Sequence, residues 1–109
     1  MVEKTVGELL EPLVREGGVL ANELRLLIYL VVRVRGRCTW SQILADVEKA
    51  TGRRVNPNAL SFHLKLLLDS GLVSKESAEY VAGREPALKP EILAQAAEGV
   101  RTLLGRDAA

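Results

Sequence analysis

One cysteine, one histidine and four aromatic residues in 109 positions are unusually few, and each scarcity removes a class of protein. Cys38 alone cannot close an internal disulfide, and with His63 the single histidine there is no ligand set for a structural zinc ion. The small aromatic set (Tyr29, Trp40, Phe62, Tyr80) among abundant Leu, Ala, Glu and Arg favours helices over a sheet-dominated core. The apolar run Leu26–Val32 is seven residues long between Arg25 and Arg33, far short of the roughly 20 that cross a bilayer, so it is expected as a buried helix and no membrane partner is expected. Met1 to Thr5 carries charge without a following apolar stretch and cleavage site, so export is not expected and the cytoplasm is the default compartment. Around His63 there is no nucleophile–base arrangement, and neither a phosphate-binding glycine loop nor a carboxylate pair with an obvious pocket stands elsewhere. An enzyme is therefore not expected, nor a cofactor.

What is present suits one domain with a single modest core: 48% hydrophobic and 27% charged residues. Net charge is +1, too little to coat nucleic acid through bulk electrostatics. The distribution is more informative: positions 33–89 hold ten Lys/Arg against six acids, a surplus of +4, and the flanks carry −3. That asymmetry supports a basic module between acidic helices, with a mixed solvated surface as the alternative.

Capping signals divide the chain. Thr5-Val6-Gly7-Glu8 has capping-box form ahead of Leu9, Leu10, Leu13 and Val14, which predicts a first amphipathic helix that Pro12 kinks or restarts and Gly17-Gly18 ends. Asn22 caps a second helix, Glu23 to about Arg35, apolar on nearly every side. Gly36 stops it, and Thr39-Trp40-Ser41-Gln42 is a second capping box before a helix over about Trp40–Ala50. The short link Gly52-Arg53-Arg54-Val55 then makes a helix-turn-helix pair with the segment that follows.

That segment, Asn56 to Val73, opens a helix, closes it and continues into an apolar strand. Asn56 can cap, Pro57 fits the first turn, and Gly71 can take the left-handed terminal conformation. At 100° per residue Leu60, Leu64 and Leu67 form one stripe, with Asn58, Ser61, Phe62, Lys65 and Asp69 roughly opposite. One face packs; the other is either a solvated surface or a reading surface. Beyond Gly71, Leu72–Tyr80 is expected as a strand, Ala82-Gly83-Arg84 as a turn, and Glu85–Lys89 as a short returning edge strand containing Pro86. Pro90 opens a last helix with Ile92, Leu93, Ala96, Val100, Leu103 and Leu104 on a broad stripe.

In this order the chain resembles the winged helix-turn-helix regulators of the ArsR and MarR kind. The resemblance rests on Leu60-Ser61-Phe62-His63-Leu64-Lys65-Leu66-Leu67 with its exit Asp69-Ser70-Gly71-Leu72-Val73, and on Tyr80-Val81-Ala82-Gly83-Arg84-Glu85-Pro86, similar to the wing of small prokaryotic members. It implies a mainly α fold with a small β-hairpin: an N-terminal dimerisation helix (1–20), a winged-helix core (22–89) and a C-terminal helix (90–105). It further implies a homodimeric, nucleoid-associated transcriptional regulator that binds double-stranded DNA, with helix 57–70 in the major groove and wing 72–89 on the backbone or minor groove.

The residues expected to carry DNA contact are Asn58 and Ser61 near the start of the reading helix, Lys65 beyond them, and Asn56 at its cap. Thr39 and Ser41 join them at the start of the preceding helix, with Arg53 and Arg54 in the turn and Arg84 at the wing tip. Phe62, an aromatic on the polar side, must meet a thymine methyl, a partner subunit or Leu66. His63 is expected as a boundary residue hydrogen-bonded between helices. The stripes Leu9, Leu10, Leu13, Val14 and Ile92, Ala96, Val100, Leu103 exceed what one small core readily covers, so pairing across a two-fold axis is expected; packing of the first helix on the last is the alternative. No residue marks a pocket for a small-molecule effector. A different class of function, a winged helix that docks another protein through Phe62, Leu66 and Leu68, fits the same fold.

Overall fold

The computed structural model describes residues 6–16 and 18–105. They form five helices and a three-stranded antiparallel sheet: α1 (Val6–Glu16), α2 (Glu23–Arg35), β1 (Arg37–Thr39), α3 (Trp40–Thr51), α4 (Pro57–Ser70), β2 (Val73–Glu76), β3 (Glu79–Ala82) and α5 (Pro90–Gly105). The expectation of a mainly helical domain with a small sheet is met. No helix among the described residues is long and apolar enough to cross a membrane.

α2 is the central element. Asn22 accepts from the Arg25 N–H at 3.0 Å to start it, and all seven residues of Leu26–Val32 are buried. α1, α3, α4 and α5 pack around it, as the run of apolar residues on every side of α2 requires. α3 begins with the anticipated box: the Thr39 hydroxyl accepts from Gln42 N–H, and the Gln42 side chain accepts from Thr39 N–H. Two side chains then hold the α3–α4 turn. Glu48 Oε2 accepts from Val55 N–H at 2.9 Å, and Thr51 Oγ1 accepts from Arg53 N–H at 3.3 Å, so backbone donors that the turn would leave open are satisfied.

α4 starts and stops where its local signals put it. Asn56 accepts from Asn58 N–H at 2.8 Å, Pro57 occupies the first turn, and Gly71 closes the helix at φ 80°. Leu60, Leu64 and Leu67 are buried, each contributing about 1.5–3 kcal/mol relative to exposure.

The first and last helices use part of their apolar stripes within the chain, as in the alternative of packing one on the other. Leu10, Leu13, Ala96 and Val100 lie in the chain's own core, and the Leu9 side chain fills the space over Gly99, where a Cβ would stand 2.7 Å from its Cδ2. The apolar surplus that argued for a dimer is thus reduced to the half-buried Leu9, Val14, Ile92 and Leu103. The physical reason is the small residues of α5: Ala96, Ala97 and Gly99 let α1 and α2 approach closely enough to bury Leu10, Leu13, Ala96 and Val100 within one chain. Pro12 lies inside α1 without ending it, and the expected Thr5 cap falls outside the described residues.

The sheet departs further from expectation. Its order is β1-β3-β2, with Cys38 opposite Tyr80 and Lys75 opposite Tyr80 on the other side. The sequence presents β1 only as a connection, because three residues are too few to show a period. The hairpin turn falls at Ser77-Ala78, with Ser77 at φ 57°, and the returning strand is Glu79–Ala82 instead of Glu85–Lys89. Ala82-Gly83-Arg84 is consequently the foot of the hairpin. There Gly83 N–H donates to Leu72 O at 2.8 Å and Arg84 N–H to Gly71 O at 2.9 Å, tying the end of β3 to the end of α4.

Candidate nucleic-acid interface

The leucine stripe of α4 turns the opposite side outward. Asn58, Ser61, Phe62 and Lys65 are all exposed, and so are Ser41 at the start of α3 and Arg53, Arg54 and Asn56 leading into α4. A cross-helix hydrogen bond joins these two groups: Trp40 Nε1 donates to Ser61 Oγ at 3.2 Å, setting the start of α3 against the second turn of α4. Nothing in the sequence singles out Trp40 for this role, because a bond between positions 40 and 61 has no local spacing signal. Thr39 is half-buried and its hydroxyl accepts in the α3 cap, which leaves its O–H proton and one lone pair for any further partner.

Lys65 pairs with Asp69 at 3.0 Å on a fully wet face, an i,i+4 pair of little energetic consequence that a phosphate can displace. Phe62 is the most exposed large apolar side chain among the described residues, at 57%, and its ring stands edge-to-face with that of His63, with centroids 5.5 Å apart. His63 sits between helices as anticipated: Arg25 Nε donates to its Nδ1 at 3.2 Å, while Arg25 Nη1 donates to Val19 O at 2.8 Å.

Desolvation, and then the charge of Arg25, hold the His63 pKa below its usual 6.5. A group whose folded pKa is lowered binds more protons unfolded, so stability is undiminished above pH 6.5, declines as pH falls through that value, and levels off below the folded pKa. Chemical denaturation between pH 7.5 and 5 should therefore show a fall in stability that His63→Gln removes; an unchanged fall in that variant would assign it elsewhere.

The hairpin is less basic than the sequence suggests. Arg84 is not at the tip: it stands at the foot, where Nε donates to Ser70 O at 2.8 Å at the end of α4. Nearer the tip, Arg37 of β1 is held by Glu76 at 2.7 Å and Glu79 at 3.5 Å, leaving Lys75 as the exposed cation of β2, 5.5 Å over the Tyr80 ring. The glycine of Ala82-Gly83-Arg84 marks a close approach of two backbones and not a turn; Gly83 is where the end of α4 and the end of β3 touch.

Arg53 and Arg54 differ from every other described arginine. Arg15, Arg33, Arg35, Arg37 and Arg101 face carboxylates, Arg25 is bonded to His63 and Arg84 to Ser70. The guanidinium groups of Arg53 and Arg54 have no such partner among the described residues. Cys38, by contrast, is fully buried and its thiol is pushed up to about 11, chiefly by desolvation, so it packs as a small apolar residue. Among the described residues no group of three or more His, Cys, Asp or Glu could hold a metal ion. Compared with family models, curated proteins and solved structures, the chain matches none.

Proposed function

We propose that this chain binds double-stranded DNA sequence-specifically as a winged helix-turn-helix regulator of transcription, with α4 in the major groove. The observation that carries the reading is the outer face of α4: polar groups that can donate and accept are displayed at its N-terminal half, uncovered by the chain, on a helix backed by buried leucines. Asn58 is suited to a bidentate contact with adenine and Lys65 to a phosphate or guanine, each base contact contributing about 1–3 kcal/mol of discrimination. Thr39, Ser41, Arg53, Arg54 and Asn56 flank that face as backbone-contacting groups, and Ser61 is shared between Trp40 and the duplex. The β2–β3 hairpin serves as the wing through Lys75, and Arg84 acts by fixing the hairpin foot instead of reaching DNA.

In this reading the regulator works as a symmetric pair through the half-buried Leu9, Val14, Ile92 and Leu103, holding two α4 helices about 34 Å apart on a pseudo-palindromic site. A second reading, docking to another protein through Phe62, draws on that ring's 57% exposure beside the half-buried Leu66 and Leu68.

Selection from a random duplex pool, followed by anisotropy titrations over a salt series, separates the two. Expected are enrichment of an inverted repeat, tighter binding to the repeat than to its half, and a steep loss of affinity with salt. Lys65→Ala should flatten the log–log salt slope by about 0.9, the value of one phosphate contact, whereas Arg84→Ala should leave it alone and lower thermal stability. No binding to any duplex at low salt would reject the DNA reading in favour of protein docking.

A further inference from the structure

A cleft of about 420 Å³ opens between the start of α2, the α3–α4 turn and the first turn of α4. Its volume lies within the range of roughly 300–1,000 Å³ typical of small-molecule sites. The apolar part of its lining is Leu24, Leu27, Val55 and Ala59, of which Leu27 is buried and the others half-buried. Arg53 and Arg54 contribute its cationic part, and they are the two described arginines whose guanidinium groups face no acceptor. The acid beside them is turned away: the Glu23 carboxylate lies against α1, with Oε2 3.3 Å from where a Cβ on Gly7 would stand. Nearby Glu48 is committed to Val55 N–H, so the turn that carries both arginines is held in place before any ligand arrives.

We propose that this cleft is a binding site for a small aliphatic carboxylate. The arginines offer the planar fork that fits a carboxylate, and the wall of Leu24, Val55 and Ala59 takes a short hydrocarbon body; no aromatic side chain lines the cleft to stack on a ring. A bare phosphate would satisfy the cations and leave the apolar wall wet, whereas a neutral alcohol would do the reverse. The ligand therefore needs both parts.

The test is a ¹⁵N NMR titration of the full chain with octanoate, octanol and inorganic phosphate, without DNA, so that its outcome is independent of the DNA reading. Octanoate should shift the Leu27, Val55 and Ala59 amides saturably at or below about 1 mM, the level of the weakest specific affinities. Octanol and phosphate should each need at least ten times more. The double variant Arg53→Ala/Arg54→Ala should weaken octanoate at least tenfold while leaving octanol unchanged, and Ala59→Phe, which fills the cleft from a half-buried position, should abolish both. Equal binding of octanol, equal binding of phosphate, an octanoate response indifferent to the arginines, or no saturable response would each overturn the assignment.

Discussion

Replacing Gly83 by alanine should cost about 3 kcal/mol of stability, a large effect for one methyl group at an exposed position. A Cβ there would stand 2.2 Å from Gly71 O and 3.3 Å from the Leu72 carbonyl carbon, both backbone atoms that no rotamer change can move aside. Relief requires the hairpin foot to separate from the end of α4, which lengthens the Gly83–Leu72 and Arg84–Gly71 hydrogen bonds together. Each such bond contributes about 1 kcal/mol, and overpacking adds about 1–3 kcal/mol. Urea unfolding followed by circular dichroism should show the loss, and thermal unfolding a midpoint lower by about 10 °C or more. Gly52→Ala is the control: its φ of 69° is unfavourable for alanine by about 1–2 kcal/mol, but nothing lies within 4 Å of the added carbon. If Gly83→Ala is no worse than Gly52→Ala, the close approach of the two segments is not what holds the hairpin.

Reversing the two unpartnered arginines, Arg53→Glu with Arg54→Glu, should weaken the proposed duplex binding on the order of a thousandfold at 50 mM salt. That corresponds to about 2 kcal/mol for each cation that attracts a phosphate and is exchanged for an anion that repels it. The salt slope should fall by about 1.8, two phosphate contacts. Because both side chains are exposed and without a partner among the described residues, the fold should be unaffected to within about 0.5 kcal/mol. This makes the pair a cleaner probe than Lys65, which has Asp69 beside it. Retention of duplex affinity in the folded variant would remove the α3–α4 turn from the interface.

The features legible in advance share a physical origin. Asn22, Thr39 and Asn56 cap, and Gly71 terminates, through bonds that span at most four residues, so the letters themselves carry the geometry. The apolar run of α2 likewise announces its burial, since helical period and side-chain hydrophobicity suffice to decide that no face can be wet. His63 is readable as a boundary residue from its angle off the Leu60–Leu64–Leu67 stripe, although its donor, Arg25, stands 38 residues away.

The hairpin shows where that legibility stops. Leu72–Tyr80 reads as one β-prone run, and nothing local distinguishes Ser77-Ala78, where the chain turns, from Gly83-Arg84, where it does not. Gly83 is used for contact with Gly71, and only the packed structure reveals that use. β1 exists because β3 pairs with it across 40 to 44 positions of separation, from Thr39–Glu79 to Arg37–Val81; neither strand would be identified as a partner alone. The same holds for the outer helices, whose stripes look like a surplus until α5's small residues bring α1 onto them.

Local signals were enough for the course of the helices, the caps at Asn22, Thr39 and Asn56, the leucine backing of α4 and the composition of its outward face, because caps, periodicity and transfer of apolar groups from water act over a few residues. Tertiary structure alone decided the strand partners, the foot of the hairpin, the covering of the terminal helices and which arginines remain without a counter-charge. Those outcomes depend on atoms brought together from distant parts of the chain, where contact distance, and not sequence spacing, sets the energy.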